Sequence, residues 1–341
     1  MSITIKDISR LAGVSVGTVS KVLNNKGNVK PNLALRVKAI VENLNYRPSQ
    51  VARSFKQNKT GIIGLIIPKI NNDFYIRVID SIEKIINKKN YTLFLGNTDE
   101  NIDTELHYLM KFANLRIEGL ILATTGGQNE QSVRKELLAY KNLNIPIVKI
   151  VRDLRSYPSD FISIDNYNGA FLATKKLLEY GHRRIAIISS SAHTSASQER
   201  IDGYLHALEE YKVPFDSRLI HKGSIDGKSG YIILNNLLNL ASPPTALFVA
   251  SNYQLVSVLQ AIKEKELIIP DDLSLICFDD PKWVSFLKPP LSAIDPLIEK
   301  LCEKSVECLF NRIKKTYISK PRSFKIPIKI INRSSIKKLK K

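Results

Sequence analysis

The chain has 341 residues, 44% of them hydrophobic and 24% charged, with a formal net charge of +19. That length allows two or three compact units, and the balance argues against disorder as the main state. Cys277, Cys302 and Cys308 are odd in number and lack a CxxC spacing, which argues against a disulfide framework or a structural zinc site.

The first helix candidate carries Ile5, Ile8, Leu11 and Ala12 at intervals of three and four, which places one apolar stripe on a short helix. Gly13 breaks it. Ser15 can cap a second helix near Thr18, and Val19, Val22 and Leu23 give that helix its own buried side. Two short helices joined at a Gly-containing turn have the spacing of a helix-turn-helix, whose second helix enters the DNA major groove. Pro31 is a suitable start for a third helix, striped by Val37, Ile40, Val41 and Leu44. Residues 1 to 60 hold eleven lysines and arginines against Asp7 and Glu42, a local positive field that matches a phosphate backbone. A generally lysine-rich proteome is the alternative source of that charge.

Residues 45 to 61 read as a linker that becomes helical only when docked, since Pro48 restarts the backbone and Val51, Ala52 and Phe55 line only about two turns. From residue 61 onward apolar strands alternate with amphipathic helices, the pattern of a parallel sheet covered by helices. Strands are predicted from Ile62, Thr92, Gly119, Ile145 and Phe161, and a second set from Arg184, Leu219, Thr245 and Leu273. Two successive α/β units fit the length. In such sheets a ligand sits beyond the carboxyl ends of the strands, which selects loops 71–75, 97–100, 190–200, 251–253 and 279–283. Their aromatic rings, amides and single charges suit a small polar ligand. Residues 312 to 341 contain no acid, so the tail reads either as a DNA-touching segment or as a solvated, frayed terminus.

No apolar h-region opens the chain and no run of about 18 apolar residues follows, so the reading is a cytoplasmic protein with no membrane partner. The histidines, at 107, 182, 193, 206 and 221, are scattered without a metal spacing, and neither a GxxxxGK[ST] nor a GxSxG motif occurs. Neither a cofactor nor a metal is expected. Thr124-Thr125-Gly126-Gly127 faintly suggests a nucleophile loop, but Thr-Gly clusters more often simply end a strand.

In AGVSVGTVSKVLN and LNYRPSQVARSF the chain resembles the LacI/GalR family of transcriptional regulators. NNDFY, IDNYNGAFLATKKLLEYGHRRIAII, PPTALFVAS, IPDDLSLICFDD, PPLSAI and IINRSS continue the match in order. The resemblance implies a small all-α helix-turn-helix headpiece (1–47), a hinge (48–60) and an α/β core (61–341) of two Rossmann-like, periplasmic-binding-protein-like subdomains. Their implied extents are about 61–160 with 292–322, and 161–291 with 323–334, followed by a basic tail at 335–341. It further implies a homodimer on double-stranded operator DNA, with affinity modulated by a small-molecule effector, a sugar or related metabolite, and no enzymatic activity.

By position, the family's base contacts fall on Val16, Gly17 and Lys21, with Thr18 and Ser20 nearby. Lys21 is the candidate for reading guanine, phosphate contact being its alternative. Ser15, Asn24, Asn25 and Tyr46 match phosphate-positioning groups. Hinge contacts fall on Val51, Ala52, Arg53 and Phe55, the last at the position of a minor-groove wedge that is usually Leu; its alternative is packing on the neighbouring hinge. Residues 33 to 35 read Leu-Ala-Leu where Thr-Arg is common. In the cleft, Arg200 and Asp279 match the ligand-contacting charges, with Phe74, Tyr75, Asn97, Asp165, Asn252, Tyr253 and Trp283 as further candidates. Two departures stand out: Ser251-Asn252 replaces Asn-Asp, and Asp295-Pro296 replaces Gln-Pro.

Competing readings are a cytosolic small-molecule-binding or enzymatic α/β protein in which the N-terminal motif is non-specific, a sugar-transport component, and a purely architectural DNA protein.

Overall fold

A computed structural model describes residues 3–24, 27–46, 59–125, 130–191, 195–317 and 319–339. The chain divides into two compact units, Met1–Gly61 and Ile62–Lys341. Asn25 and the hinge candidates Val51, Ala52, Arg53 and Phe55 lie outside the described residues.

In the first unit three helices, α1 (Ile5–Ala12), α2 (Val16–Leu23) and α3 (Pro31–Asn43), close a core of Ile8, Ala12, Val19, Val22 and Val37. Thr4 and Asp7 form a reciprocal capping box: the Asp7 N–H donates to Thr4 Oγ1, and the Thr4 N–H donates to Asp7 Oδ2 at 3.0 Å. Gly13 stops α1 with φ +59°, where its N–H reaches the carbonyls of Ser9 and Arg10. Only a residue free of Cβ strain takes that conformation readily. Leu11 departs from the predicted stripe. It is 58% exposed, while Ile8 and Ala12 are buried and Ile5 packs beside them against the other helices. Pro31 opens α3 without a side-chain cap from Lys30.

The second unit holds two sheets. The first uses β1 (Ile62–Ile67), β2 (Thr92–Asn97), β3 (Gly119–Leu122), β4 (Ile147–Ile150) and β5 (Asp160–Ile164), joined by α4 (Asp73–Asn87), α5 (Ile102–Asn114) and α6 (Glu130–Asn142). The second uses β6 (Ile185–Ser190), β7 (Ile220–Gly223), β8 (Ala246–Val249), β9 (Ser274–Phe278) and β10 (Ser292–Asp295), with α7 (Asn166–Glu179), α8 (Ser195–Glu210), α9 (Ser229–Leu238) and α10 (Asn252–Glu264). The chain then returns through α11 (Ile298–Ile313) and β11 (Ser323–Ile326) to the first lobe and ends with β12 (Lys329–Ile331) in the second. The orders are β11-β5-β4-β3-β1-β2 and β12-β10-β9-β8-β6-β7, parallel except for β12 against β10. Helices cover both faces, which is why runs such as IIGLII are almost wholly buried instead of alternating.

Strand pairing moves the crossing points from those the family pattern suggested. Residues 160–164 and 323–326 pair with each other in the first sheet, and 292–295 pair with β9 in the second. A buried ion cluster explains the first shift. Asp160 accepts from Arg312 Nη2 at 2.7 Å and from the Arg322 N–H at 2.8 Å, binding β5 to the end of α11 and the start of β11. The tail is not frayed over its described part. Ser335 is buried and donates to the Leu275 carbonyl at 2.6 Å, and the Leu339 N–H donates to the Tyr180 carbonyl at 2.8 Å.

Helices α7 and α8 meet backbone to backbone at Gly203. A Cβ there would lie 2.1 Å from the Tyr167 carbonyl oxygen and 3.0 Å from the Phe171 nitrogen. Gly203→Ala must therefore part the two helices, with an expected loss of about 3 kcal/mol. Chemical denaturation would read it as a lower midpoint at unchanged slope.

Candidate functional site

In the headpiece the exposed side of α2 is the candidate reading surface. Ser15 Oγ accepts from the Thr18 N–H at 3.1 Å, so the cap fixes where the helix starts. Val19 and Val22 are buried, and at 100° per residue this turns Val16, Gly17 and Lys21 outward, where all three are exposed. Thr18 and Ser20 flank them, half-buried. Val16 and Gly17 bring no polar side-chain atom, which leaves the Lys21 ammonium as the strong donor of the row. Asn24 is folded back, donating Nδ2 to the Ser20 carbonyl at 2.7 Å at the end of the helix. Tyr46 is half-buried and packs against the three-helix core.

In the core unit, the carboxyl ends of β1, β4, β6, β8 and β9 converge on a cavity of about 70 Å³ between the lobes. Phe74, Tyr75, Arg200, Asn252, Tyr253 and Asp279 line it. Asn72 Oδ1 caps α4 by accepting from the Phe74 N–H at 2.9 Å, which sets the two rings edge to face with centroids 5.1 Å apart. Burial raises the Tyr75 phenol to about 12, so it stays neutral and polar.

Arg200 is held for one task. Its Nε donates to Asn166 Oδ1 at 2.9 Å, its Nη1 donates to the Ala250 carbonyl at 2.6 Å, and its guanidinium lies 3.5 Å from the Phe278 ring centroid. Desolvation lowers its pKa, and the Asp279 charge pulls the other way. Asp279 ends β9 with φ +73° and is 5% exposed. Its Oδ1 has no hydrogen-bond partner. Burial raises its pKa in spite of Arg200 and Arg77. A buried carboxylate oxygen without a donor is costly, and a ligand hydroxyl or N–H would satisfy it.

Three of the predicted cleft residues have other partners. Asn97 Oδ1 accepts from the Ile70 N–H at 2.8 Å and so braces the loop after β1. Asp165 caps α7, accepting from Asn168 Nδ2 at 2.6 Å. Trp283 Nε1 donates to Asp73 Oδ2 at 2.9 Å, a tie from one lobe to the other. Asn252 is both lining and tie, exchanging amide hydrogen bonds with Asn72 at 2.9 and 3.2 Å. Arg77 adds a third tie, donating to the Asp280 carbonyl at 3.3 Å.

Arg152 also lines the cavity, beyond the residues that the family motifs mark. It grips Glu100 through two hydrogen bonds of 2.7 and 2.8 Å, and Tyr253 Oη reaches the same carboxylate at 3.5 Å. Its sequence signal is its place just after the carboxyl end of β4, where the ligand rule applies equally. Thr124 and Thr125 serve structure: both hydroxyls donate to the buried Glu105 carboxylate, the first at 2.6 Å. Among the described residues no group of three or more His, Cys, Asp or Glu could hold a metal, and no helix is long and apolar enough to cross a membrane.

A capped helix-turn-helix unit followed by a two-lobed binding core defines a ligand-linked DNA-binding regulator by class. Residues 4–49 match the family of bacterial regulatory proteins, lacI family, and residues 174–336 match a periplasmic binding protein-like domain. The HTH-type transcriptional repressor PurR of Vibrio atlanticus is 32% identical over 98% of this chain and 99% of its own length. The ribose operon repressor of Haemophilus influenzae is 34% identical over 91% and 92%. The chain belongs to the lacI family. A LacI family regulator from Enterococcus faecium with bound ribose superposes with a TM-score of 0.73 at 26% identity, over 82% of this chain and all of that one. The lac repressor dimer bound to operator and the anti-inducer ONPF gives 0.85 at 21% identity, over 98% and 99%, a likeness of fold.

Proposed function

We propose that the chain is a sequence-specific, DNA-binding repressor of transcription that works as a homodimer on double-stranded operator DNA, with affinity set by a small-molecule effector. Acting on DNA places it in the cytoplasm. The observation that carries the reading is the joining, in one chain, of a capped helix with an exposed reading row to a closed cleft holding an unsatisfied buried carboxylate. Val16, Gly17 and Lys21 face bases, with Thr18 and Ser20 beside them. Ser15, Asn24, Asn25 and Tyr46 position phosphates, and residues 48–60 with Val51, Ala52, Arg53 and Phe55 form the hinge contact in the minor groove.

In the cleft, Arg200 and Asp279 hold the polar edge of a polyhydroxylated ligand, while Phe74 and Tyr75 pack its apolar face. A pentose-sized sugar fits this chemistry, and the ribose named for two of the similar proteins supports it. Asn97, Asp165 and Trp283 act by positioning. The cavity, about 70 Å³, is small beside an ordinary ligand pocket of roughly 300 Å³ or more. Entry therefore requires the lobes to part, breaking ties such as Asn72–Asn252 and Trp283–Asp73. A ligand that prefers one lobe arrangement then shifts the population that binds DNA. Exposed apolar side chains on the core, Ile76, Val256 and Phe286 among them, supply surface for a second copy. Catalysis has no place in this reading.

The test is selection of duplexes from a random pool by the full chain, followed by thermal-shift screening against sugars, sugar phosphates, sugar acids and nucleobases. An enriched pseudo-palindrome is expected, along with a ligand that stabilises the core by about 2.7 kcal/mol at a hundred times its Kd. No enriched sequence, or equal enrichment after removal of residues 1–58, would sink the regulator reading.

A further inference from the structure

The cleft uses the carboxyl edge of the first sheet; the amino edge, on the opposite side, carries a different chemistry. The Glu118 N–H donates to the Ile62 carbonyl at 2.8 Å, and Tyr91 Oη donates to Glu118 Oε2 at 2.9 Å. The Tyr91 ring meets Phe310 edge-on, with centroids 4.9 Å apart. The Leu120 N–H donates to the Pro146 carbonyl at 3.0 Å and the Phe161 N–H to the Arg322 carbonyl at 2.9 Å. The loops before β2, β3, β4 and β11 therefore form one continuous rim around Ile62, where the segment leading to the headpiece leaves the core.

That rim is basic. Lys88, Lys89, Lys141, Lys314, Lys315 and Lys320 stand on it, all exposed, and none has an ion-pair partner among the described residues. Its acids are already engaged, Glu118 by Tyr91 and Asp160 by Arg312 and Arg322. The matching edge of the second lobe also carries exposed lysines without ion pairs, Lys212 and Lys265 among them, but it belongs to the sheet that Ile62 does not open, and part of its charge is paired. There Arg184 and Arg218 share Asp216, and Lys337 pairs with Asp271. Position at the start of β1, where the chain enters the core, sets the first rim apart from the second.

We propose that the basic rim around Ile62 is a second, sequence-independent DNA surface that holds the phosphate backbone of duplex flanking the operator. Lysines suit the task, because compact charges on flexible stems follow a phosphate array without the fixed fork geometry of arginine. The proposal rests on the DNA-binding reading above and adds a partner surface to it.

The test uses the full chain and two duplexes carrying the same selected operator, one ending at the outer half-site bases and one extended beyond a helical turn on each side. Unaltered protein should bind the longer duplex more tightly, with a steeper log–log salt dependence, each engaged phosphate adding about 0.9 to the slope. A combined Lys88→Gln, Lys89→Gln, Lys314→Gln, Lys315→Gln, Lys320→Gln variant should lose that length advantage and bind the short duplex as the unaltered chain does. A charge-matched variant on the second lobe, with Lys212, Lys263, Lys265, Lys288 and Lys338 changed to Gln, should keep it. Equal affinity and slope on both duplexes, an advantage retained by the rim variant, or its loss in both variants would overturn the proposal. Absence of sequence-specific binding by the unaltered chain would instead overturn the regulator reading, and the rim with it.

Discussion

Asp279→Asn is expected to stabilise the empty core and to abolish its response to effector. The carboxylate is buried, and its Oδ1 lacks a donor. Arg200 and Arg77 attract the charged form, yet burial outweighs them, since the pKa lies above the ordinary aspartate value. The attraction of Arg200 is thus already counted in the net penalty. Asn keeps the shape, removes the charge and tolerates the φ of +73° that a β-branched residue would not. Relieving one unsatisfied buried charged group is worth about 1 to 3 kcal/mol, read as a higher denaturation midpoint of the ligand-free protein. The same change exchanges one acceptor for a donor in the cavity, so a ligand hydroxyl meets the wrong partner. Effector binding should fall at least a hundredfold by calorimetry, in line with the cost of leaving a site's polar group mismatched. An unchanged midpoint with unchanged effector affinity would remove Asp279 from the cleft assignment.

The pH dependence follows with a definite sign. A carboxyl whose folded pKa is raised favours the native state fully only below its unfolded pKa, and that contribution is lost as pH rises through the folded value. The advantage of Asp279→Asn over the unaltered chain should therefore be largest near neutrality and shrink as pH falls toward the ordinary aspartate value of about 3.9. Effector donating to the ionised carboxylate lowers its pKa, so binding releases protons in the window just above that value. Calorimetry in buffers of different ionisation enthalpy reads the release directly.

The residues that carried these arguments differ in how they could be read. Strands such as IIGLII and GLIL are legible because central parallel strands under two helical layers are buried and apolar along nearly their whole length. The Ser15 cap and Gly13 stop were legible because each is a local rule satisfied within three or four residues. The crossings were not. Whether residues 323–326 join the first or the second sheet depends on Asp160 finding Arg312 and Arg322, partners more than 150 positions away. The cleft divides along the same line. Arg200 and Asp279 came from motif position, whereas the roles of Asn97 and Asp165 as a brace and a cap depend on which backbone N–H each meets. Leu11 shows the limit of periodicity, since the turn spacing permits a stripe of four where the other helices cover three, Ile5, Ile8 and Ala12.

Lys21→Ala should weaken operator binding and relax preference at one base position in each half-site. The α2 reading row presents Val16, Gly17 and Lys21, and of these Lys21 alone can donate to a base edge. Its stem passes close to Gly27, where even a Cβ would come within 3.5 Å of Lys21 Cδ. Loss of one specific contact costs about 1 to 3 kcal/mol, and a homodimer loses it twice. Binding to every single-base variant of the operator separates the two roles open to this lysine. A base reader, once removed, leaves one position indifferent and the others as selective as before. A phosphate contact, once removed, weakens all variants alike and lowers the salt slope by about 1 per contact. The second outcome would shift specificity onto Val16, on apolar contact with a thymine methyl, and onto the deformability of the operator itself. With one polar handle in the reading row, this headpiece depends more on the shape of its DNA than a helix carrying several such side chains.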